Sequence, residues 1–166
     1  MLKKRHFLVV GLFAAVAAAA PAFLSREGQI VLDDQGWALA SNNELDGTME
    51  VLTDGDSHPP IYQVNVLRPG ENLHLEKSVP PGVLEASKPL WLRFRARAGS
   101  PRKLRTALQD PQNSTWTSEV KLTPDWQEFR LPILPDQPTA GPATLAFQIG
   151  GASGEVAITD IKMERS

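Results

Sequence analysis

The sequence predicts an all-β protein, a sandwich or jelly roll of two antiparallel sheets, on three observations. Beyond residue 24 no segment sustains the period of an amphipathic helix. Short apolar–polar alternations recur instead, with the two-residue period of half-buried strands. The 166 residues are also broken into short pieces by 14 prolines and 12 glycines, which leaves no room for strand–helix–strand units.

The elements follow in chain order. QIVL (29–32) and GWALA (36–40) read as two short strands. TMEVLTD (48–54) alternates and ends at Asp54-Gly55, a turn signal. IYQVNVL (61–67) turns Tyr62, Val64 and Val66 inward and Gln63 and Asn65 outward, and RPGEN then makes a tight turn. LHLEKSV (73–79) buries Leu73 and Leu75 and leaves His74 and Glu76 on the other face. The alternation from Trp91 to Arg97 is strict: Leu92, Phe94 and Ala96 share the core side, and Trp91, Arg93, Arg95 and Arg97 share the opposite one. KLRTALQ (103–109) places Leu104, Thr106 and Leu108 inward and Arg105, Ala107 and Gln109 outward.

DPQNS reads as a polar loop leading to Trp116, which no apolar alternation claims. SEVKLT (118–123), QEFRLPI (127–133), ATLAFQIG (143–150) and GEVAITDIKM (154–163) complete the set. In the last of these, Val156 and Ile158 have one parity and Ile161 and Met163 the other, so a β-bulge near Thr159-Asp160 is needed. Trp37 and Trp126 read as structural tryptophans. LPDQPTAGP (134–142) is a short proline-rich loop rather than a linker, and one domain is expected over residues 27–165. The count of about nine or ten short strands with frequent turns suits a sandwich and not a parallel sheet.

Residues 1–22 have the layout of a secretory signal peptide: basic Lys3, Lys4 and Arg5, an apolar run from Phe7 to Ala20, and the small residues Ala20-Pro21-Ala22. The alternative, an uncleaved anchor, is disfavoured because that run is 14 residues long, against the roughly 20 that a spanning helix needs. The expected location is therefore secreted or periplasmic, with no membrane association after cleavage. Loss of residues 1–22 leaves 14 basic residues against 19 acidic ones, a net charge of −5. Such a balance argues against nucleic acid as a partner. The chain has no cysteine, so neither a disulfide framework nor a lipidated cysteine is available.

No hydrolytic constellation is legible. His6 lies in the leader, His58 in a loop and His74 on a strand, and neither a G-x-S-x-G elbow nor an H-x-x-x-H metal pair occurs. An enzyme is not expected.

Three stretches carry a resemblance. LWLRFRARAGSPRKLRTALQ, VKLTPDWQEFRLPI and ATLAFQIGGASGEVAITDIKME resemble the galactose-binding-like jelly rolls. More narrowly, they resemble the carbohydrate-binding modules of the family 4, 9 and 22 type that accompany bacterial glycoside hydrolases. The matching motifs fall on Leu90 to Ala98, Val120 to Phe129 and Gly154 to Met163. The family's closing strand often carries two adjacent acids, one of which binds a structural calcium; here Thr159-Asp160 keeps only one. The resemblance thus implies a calcium ligand at Asp160, with Asp33 or Asp34 standing in for the family's missing N-terminal acid.

It also implies a non-catalytic role, with the outward residues of a concave sheet docking a polysaccharide or oligosaccharide. Read strand by strand, that surface comprises Gln63, Asn65, His74, Glu76, Trp91, Arg93, Arg95, Arg97, Arg105, Gln109, Thr144 and Gln148. Amides and guanidinium groups would meet hydroxyls, and Trp116 and Trp91 would supply stacking. The expected contact residues are Gln63, Asn65, His74, Trp91, Arg93, Arg95, Gln109, Trp116 and Gln148. The competing reading pairs the arginines with acids such as Glu76, Glu119 or Glu128 across strands. At the level of function, the competitor is a periplasmic structural or adaptor module that binds a protein partner of an envelope or polysaccharide-handling complex. The protein partners expected beside the glycan are a glycoside hydrolase or an envelope protein.

Overall fold

The structure is a computed structural model. It describes residues 29–43, 45–55, 58–81, 83–84, 89–109, 114–134 and 142–165; the leader expected at 1–22 lies outside them.

Eleven strands are present among the described residues. They are β1 (Gln29–Leu32), β2 (Ala38–Ala40), β3 (Gly47–Leu52), β4 (Ile61–Val66), β5 (His74–Val79), β6 (Leu90–Ala98), β7 (Arg102–Gln109), β8 (Ser114–Leu122), β9 (Gln127–Ile133), β10 (Ala143–Gln148) and β11 (Gly154–Arg165). A six-stranded sheet, here the back sheet, has the order β3-β4-β11-β6-β9, with β1 also on β11; a five-stranded front sheet has the order β2-β5-β10-β7-β8. Every pairing is antiparallel. The chain changes sheet at nearly every connection, and only β3–β4 and β7–β8 are consecutive strands paired in one sheet. This is a jelly-roll sandwich.

The inward parities close the core between the sheets. Leu92, Phe94 and Ala96 of β6 are buried against Leu104 and Leu108 of β7 and Leu145 and Phe147 of β10 within one cluster. Aromatic rings bridge the layers: Phe94 meets Phe147 edge-on at 5.0 Å and stacks on Phe129 at 5.1 Å, and Phe147 meets Trp37 at 5.3 Å. Trp37 is thus a core residue, as its neighbours Ala38 and Leu39 suggest.

The bulge that the parity of β11 demands is present. Thr159 pairs with Arg95 and Lys162 with Arg93, so Asp160 and Ile161 together face the single residue between those arginines. Asp160 takes φ 51°, the only described non-glycine residue in the left-handed region. The extra residue brings Ile161 and Met163 back inward, where both are fully buried.

Trp116 departs from expectation. It is part of β8, paired with Leu108, and it packs against the core instead of projecting from a loop. Its parity is that of Ser118, Val120 and Leu122. Ser118 sits opposite the fully buried Thr106, whose hydroxyl donates to the Ser118 carbonyl at 3.4 Å. A polar residue on an inward position broke the alternation and hid the first half of the strand.

Candidate functional site

The structure divides the expected contact surface between two opposite faces. Gln63 and Asn65 (β4) and Trp91, Arg93 and Arg95 (β6) lie on the back sheet, whereas His74 (β5), Gln109 (β7) and Gln148 (β10) lie on the front sheet. A single cleft holding all of them is ruled out, because two packed sheets turn their outward residues away from each other. Glu76 and Glu119 are also on the front sheet, so neither can neutralise the β6 arginines.

On the back face the arginines have local partners. Arg93 Nη2 lies 3.4 Å from Glu128, and Arg93 Nη1 lies 3.8 Å from Glu164. Arg97 reaches Glu155 at 3.5 Å, and Gln63 Nε2 donates to the same carboxylate at 3.3 Å. Arg95 and Arg97 lie against the Trp126 ring at 5.7 and 5.1 Å, and Arg130 covers Trp91 at 4.3 Å. Trp91 is therefore an arginine-stacked residue beside β9. Of the acids weighed from sequence, Glu128 is the true partner, because β9 is the strand that pairs with β6.

The front face has a different character. Gln148 pairs with His74 on one side and Arg105 on the other, and Arg105 pairs with Glu119. A row His74–Gln148–Arg105–Glu119 therefore crosses the sheet at intervals of about 4.8 Å. The neighbouring row is Glu76–Ala146–Ala107–Thr117, where Ala107 and Ala146 are sunk between larger outward side chains and take no part in the core cluster. Beside the polar row an open cavity of about 400 Å³ is lined by Gly70, Glu71, Asn72, His74, Lys103, Arg105, Glu119, Gln148, Gly150 and Gly151.

Two turns build its wall. Gly70 N donates to Gly150 O at 2.9 Å, and Ile149 N to Leu73 O at 3.0 Å. A Cβ on residue 150 would lie 1.8 Å from Gly70 O, so only glycine permits the two turns to meet. Arg102 Nη2 secures the same turn by donating to Ile149 O at 2.8 Å and to Ala152 O; burial pulls the Arg102 guanidinium below its ordinary pKa.

Within the cavity, His74 Nε2 donates to Glu71 O at 2.7 Å, which fixes the ring with its Nε2 protonated. Lys103 and Glu119 pair at 2.7 Å across exposed side chains. Arg105 is exposed and has no ion pair among the described residues. The site thus offers a free guanidinium, an amide on Gln148, a carboxylate on Glu119 and an imidazole within one row. That is a set of planar donors and acceptors suited to a polyhydroxylated ligand.

Glu71, Asn72, Lys103, Glu119, Gly150 and Gly151 were not foreseen as site residues. RPGEN was legible only as a turn, and nothing local in the sequence says that it docks onto the turn after β10.

The expected calcium ligands are engaged otherwise. Asp160 Oδ1 lies 2.6 Å from Lys162 Nζ. Lys77 Nζ occupies the Asp33 loop, donating to Asp33 Oδ1 at 2.6 Å, Asp33 O at 3.2 Å and Gln35 O at 2.5 Å. That ammonium holds the Asp33 carboxyl below its usual pKa. Asp34 Oδ1 accepts from Gln35 Nε2 at 3.0 Å. Among the described residues no group of three or more His, Asp or Glu gathers to hold a metal.

No protein-family profile matches the sequence, and no curated protein matches it either. Solved structures do match. A family 4 carbohydrate-binding module superposes with a TM-score of 0.62 at 17% identity, over 81% of this chain and 89% of that one. The CBM22-1 xylan-binding domain of Paenibacillus barcinonensis Xyn10C gives 0.62 at 14% identity, over 84% and 96%. The family 11 carbohydrate-binding module of Clostridium thermocellum, in complex with a β-1,3-1,4-mixed-linked tetrasaccharide, gives 0.54 at 14% identity, over 84% and 97%. The chain has the jelly-roll fold of these carbohydrate-binding modules.

Proposed function

We propose that this chain is an exported, non-catalytic carbohydrate-binding module that holds a polysaccharide or oligosaccharide segment on the outer face of the front sheet. The observation that carries the reading is the row His74–Gln148–Arg105–Glu119 beside an open cavity of about 400 Å³. Sugar hydroxyls both donate and accept, so guanidinium, amide and carboxylate groups in one row match their chemistry. Neighbours of the same fold are a xylan-binding domain and a module in complex with a mixed-linked tetrasaccharide, which supports a β-linked glycan as ligand. The described outward positions of the front strands carry no Trp, Tyr or Phe ring, the imidazole of His74 being the one heteroaromatic group among them. Recognition by hydrogen bonding alone predicts weak binding, in the micromolar range or poorer, because each bond replaces one to water. The secretory pattern of residues 1–22 supports a secreted or periplasmic location, where a glycoside hydrolase or an envelope protein would be its working partner.

Affinity electrophoresis and calorimetry against xylan and mixed-linkage glucan test the proposal. Retardation is expected for the wild-type chain, with Arg105→Ala and Gln148→Ala each binding about tenfold more weakly at unchanged melting temperature. A folded protein that no glycan retards would end the proposal.

A further inference from the structure

The back sheet has a cavity of its own, unrelated to the front-face reading. A row Leu52–Ile61–Thr159–Arg95–Glu128 crosses β3, β4, β11, β6 and β9 in register. Over it opens a cavity of about 310 Å³ whose lining includes Leu52, Asp54, His58, Ile61, Arg95 and Trp126. Its chemistry is more apolar than that of the front cavity, being built on an indole and two aliphatic side chains.

Arg95 is the unusual member. Glu128 stands directly opposite it across the β6–β9 pair, yet the Glu128 carboxylate is engaged by Arg93 at 3.4 Å. Arg95 is exposed and has no ion pair among the described residues, and its guanidinium is held against the Trp126 ring at 5.7 Å. A stacked guanidinium keeps its donor edge free for a planar anion. On the far lip, Asp54 adds a carboxylate, and its carbonyl accepts from His58 Nδ1 at 3.2 Å. A ligand that satisfies the whole lining must therefore combine a carboxylate for Arg95, an apolar face for Ile61, Leu52 and Trp126, and hydroxyls for Asp54 and His58.

We propose that this back-face cavity is a second ligand site that takes a uronic acid residue. A neutral sugar supplies the apolar face and the hydroxyls but leaves Arg95 without an anion, and an apolar ligand leaves Asp54 without a donor. The carboxylate-bearing pyranose is the carbohydrate that fills all three roles at once.

The test is titration of the full chain with oligogalacturonate, and separately with the neutral galacto-oligosaccharide of equal length, monitored by NMR of the indole and guanidinium protons. Oligogalacturonate is expected to shift the Trp126 indole and Arg95 signals, and the neutral oligomer to leave them in place. Affinity should fall at least tenfold in Arg95→Gln and with rising salt, since the contact is charge-assisted. Arg105→Gln on the front face should leave these shifts unchanged. The site is overturned if the acidic oligomer leaves Trp126 unperturbed, if both oligomers perturb it equally, or if the shifts fall on Arg105 and Gln148. Because the principal readout is on the wild-type chain, a misfolded Arg95→Gln variant would not blunt it. Failure of xylan to bind the front face would leave it untouched.

Discussion

The Lys77 ammonium group sits among three oxygens of the loop from Asp33 to Gln35 and ties β5 to the segment between β1 and β2. The Lys77 side chain is 19% exposed and the Asp33 side chain 62%, so solvent screens the pair on one side only. Lys77→Met should cost about 1 kcal/mol near neutral pH, read from the urea midpoint. The pH dependence follows from the depressed folded-state pKa of Asp33. Its contribution is complete above the ordinary carboxylate value of about 3.9 and is lost as the pH falls through the lowered folded value. The gap between wild type and Lys77→Met should therefore be wider at neutral pH than below about pH 4; a gap that widens on acidification would contradict the assignment. Trp116 marks where legibility failed at this scale. Its inward position depends on a polar neighbour, Ser118, being accepted against Thr106 of another strand, which no local pattern shows.

The strand whose internal structure matters most is β11. Its bulge was legible because Val156 and Ile158 cannot share a face with Ile161 and Met163 in a regular strand. What the sequence left open was the conformation: Asp160 takes φ 51°, where a Cβ is strained and glycine is not. Deleting Asp160 should shift Ile161 and Met163 to the outer face and abolish the cooperative thermal transition. Asp160→Gly should change stability by less than about 1 kcal/mol, since relief of strain offsets loss of the half-buried pair with Lys162. If the deletion variant melts like wild type, the bulge is not what sets the register. The arginine side of β6 is an element-scale lesson of another kind. Its alternation was plain in the sequence, but its partners are set by the neighbours β9 and β11.

At the scale of the whole molecule, the sandwich is joined through Trp37, Phe147, Phe94 and Phe129, which link the front sheet to the back. Phe94 contacts rings in both layers and is fully buried. Phe94→Ala should cost about 3–5 kcal/mol, more than any surface change considered above, and should lower both the urea midpoint and the melting temperature. A cost below about 1 kcal/mol would mean that the layers close without that ring. The amino-acid sequence by itself determined the strands, the inward face of nearly every one, the core and the bulge, because each follows from the period of side chains along one segment. Only the tertiary structure decided which strands share a sheet, and so which outward residues share a surface. The physical reason is that both outer faces of a sandwich carry the same polar period, while strand pairing joins segments far apart in the chain. Gln63 and Gln148 look alike in sequence; hydrogen-bonded neighbours put one behind the molecule and the other in the front row beside Arg105.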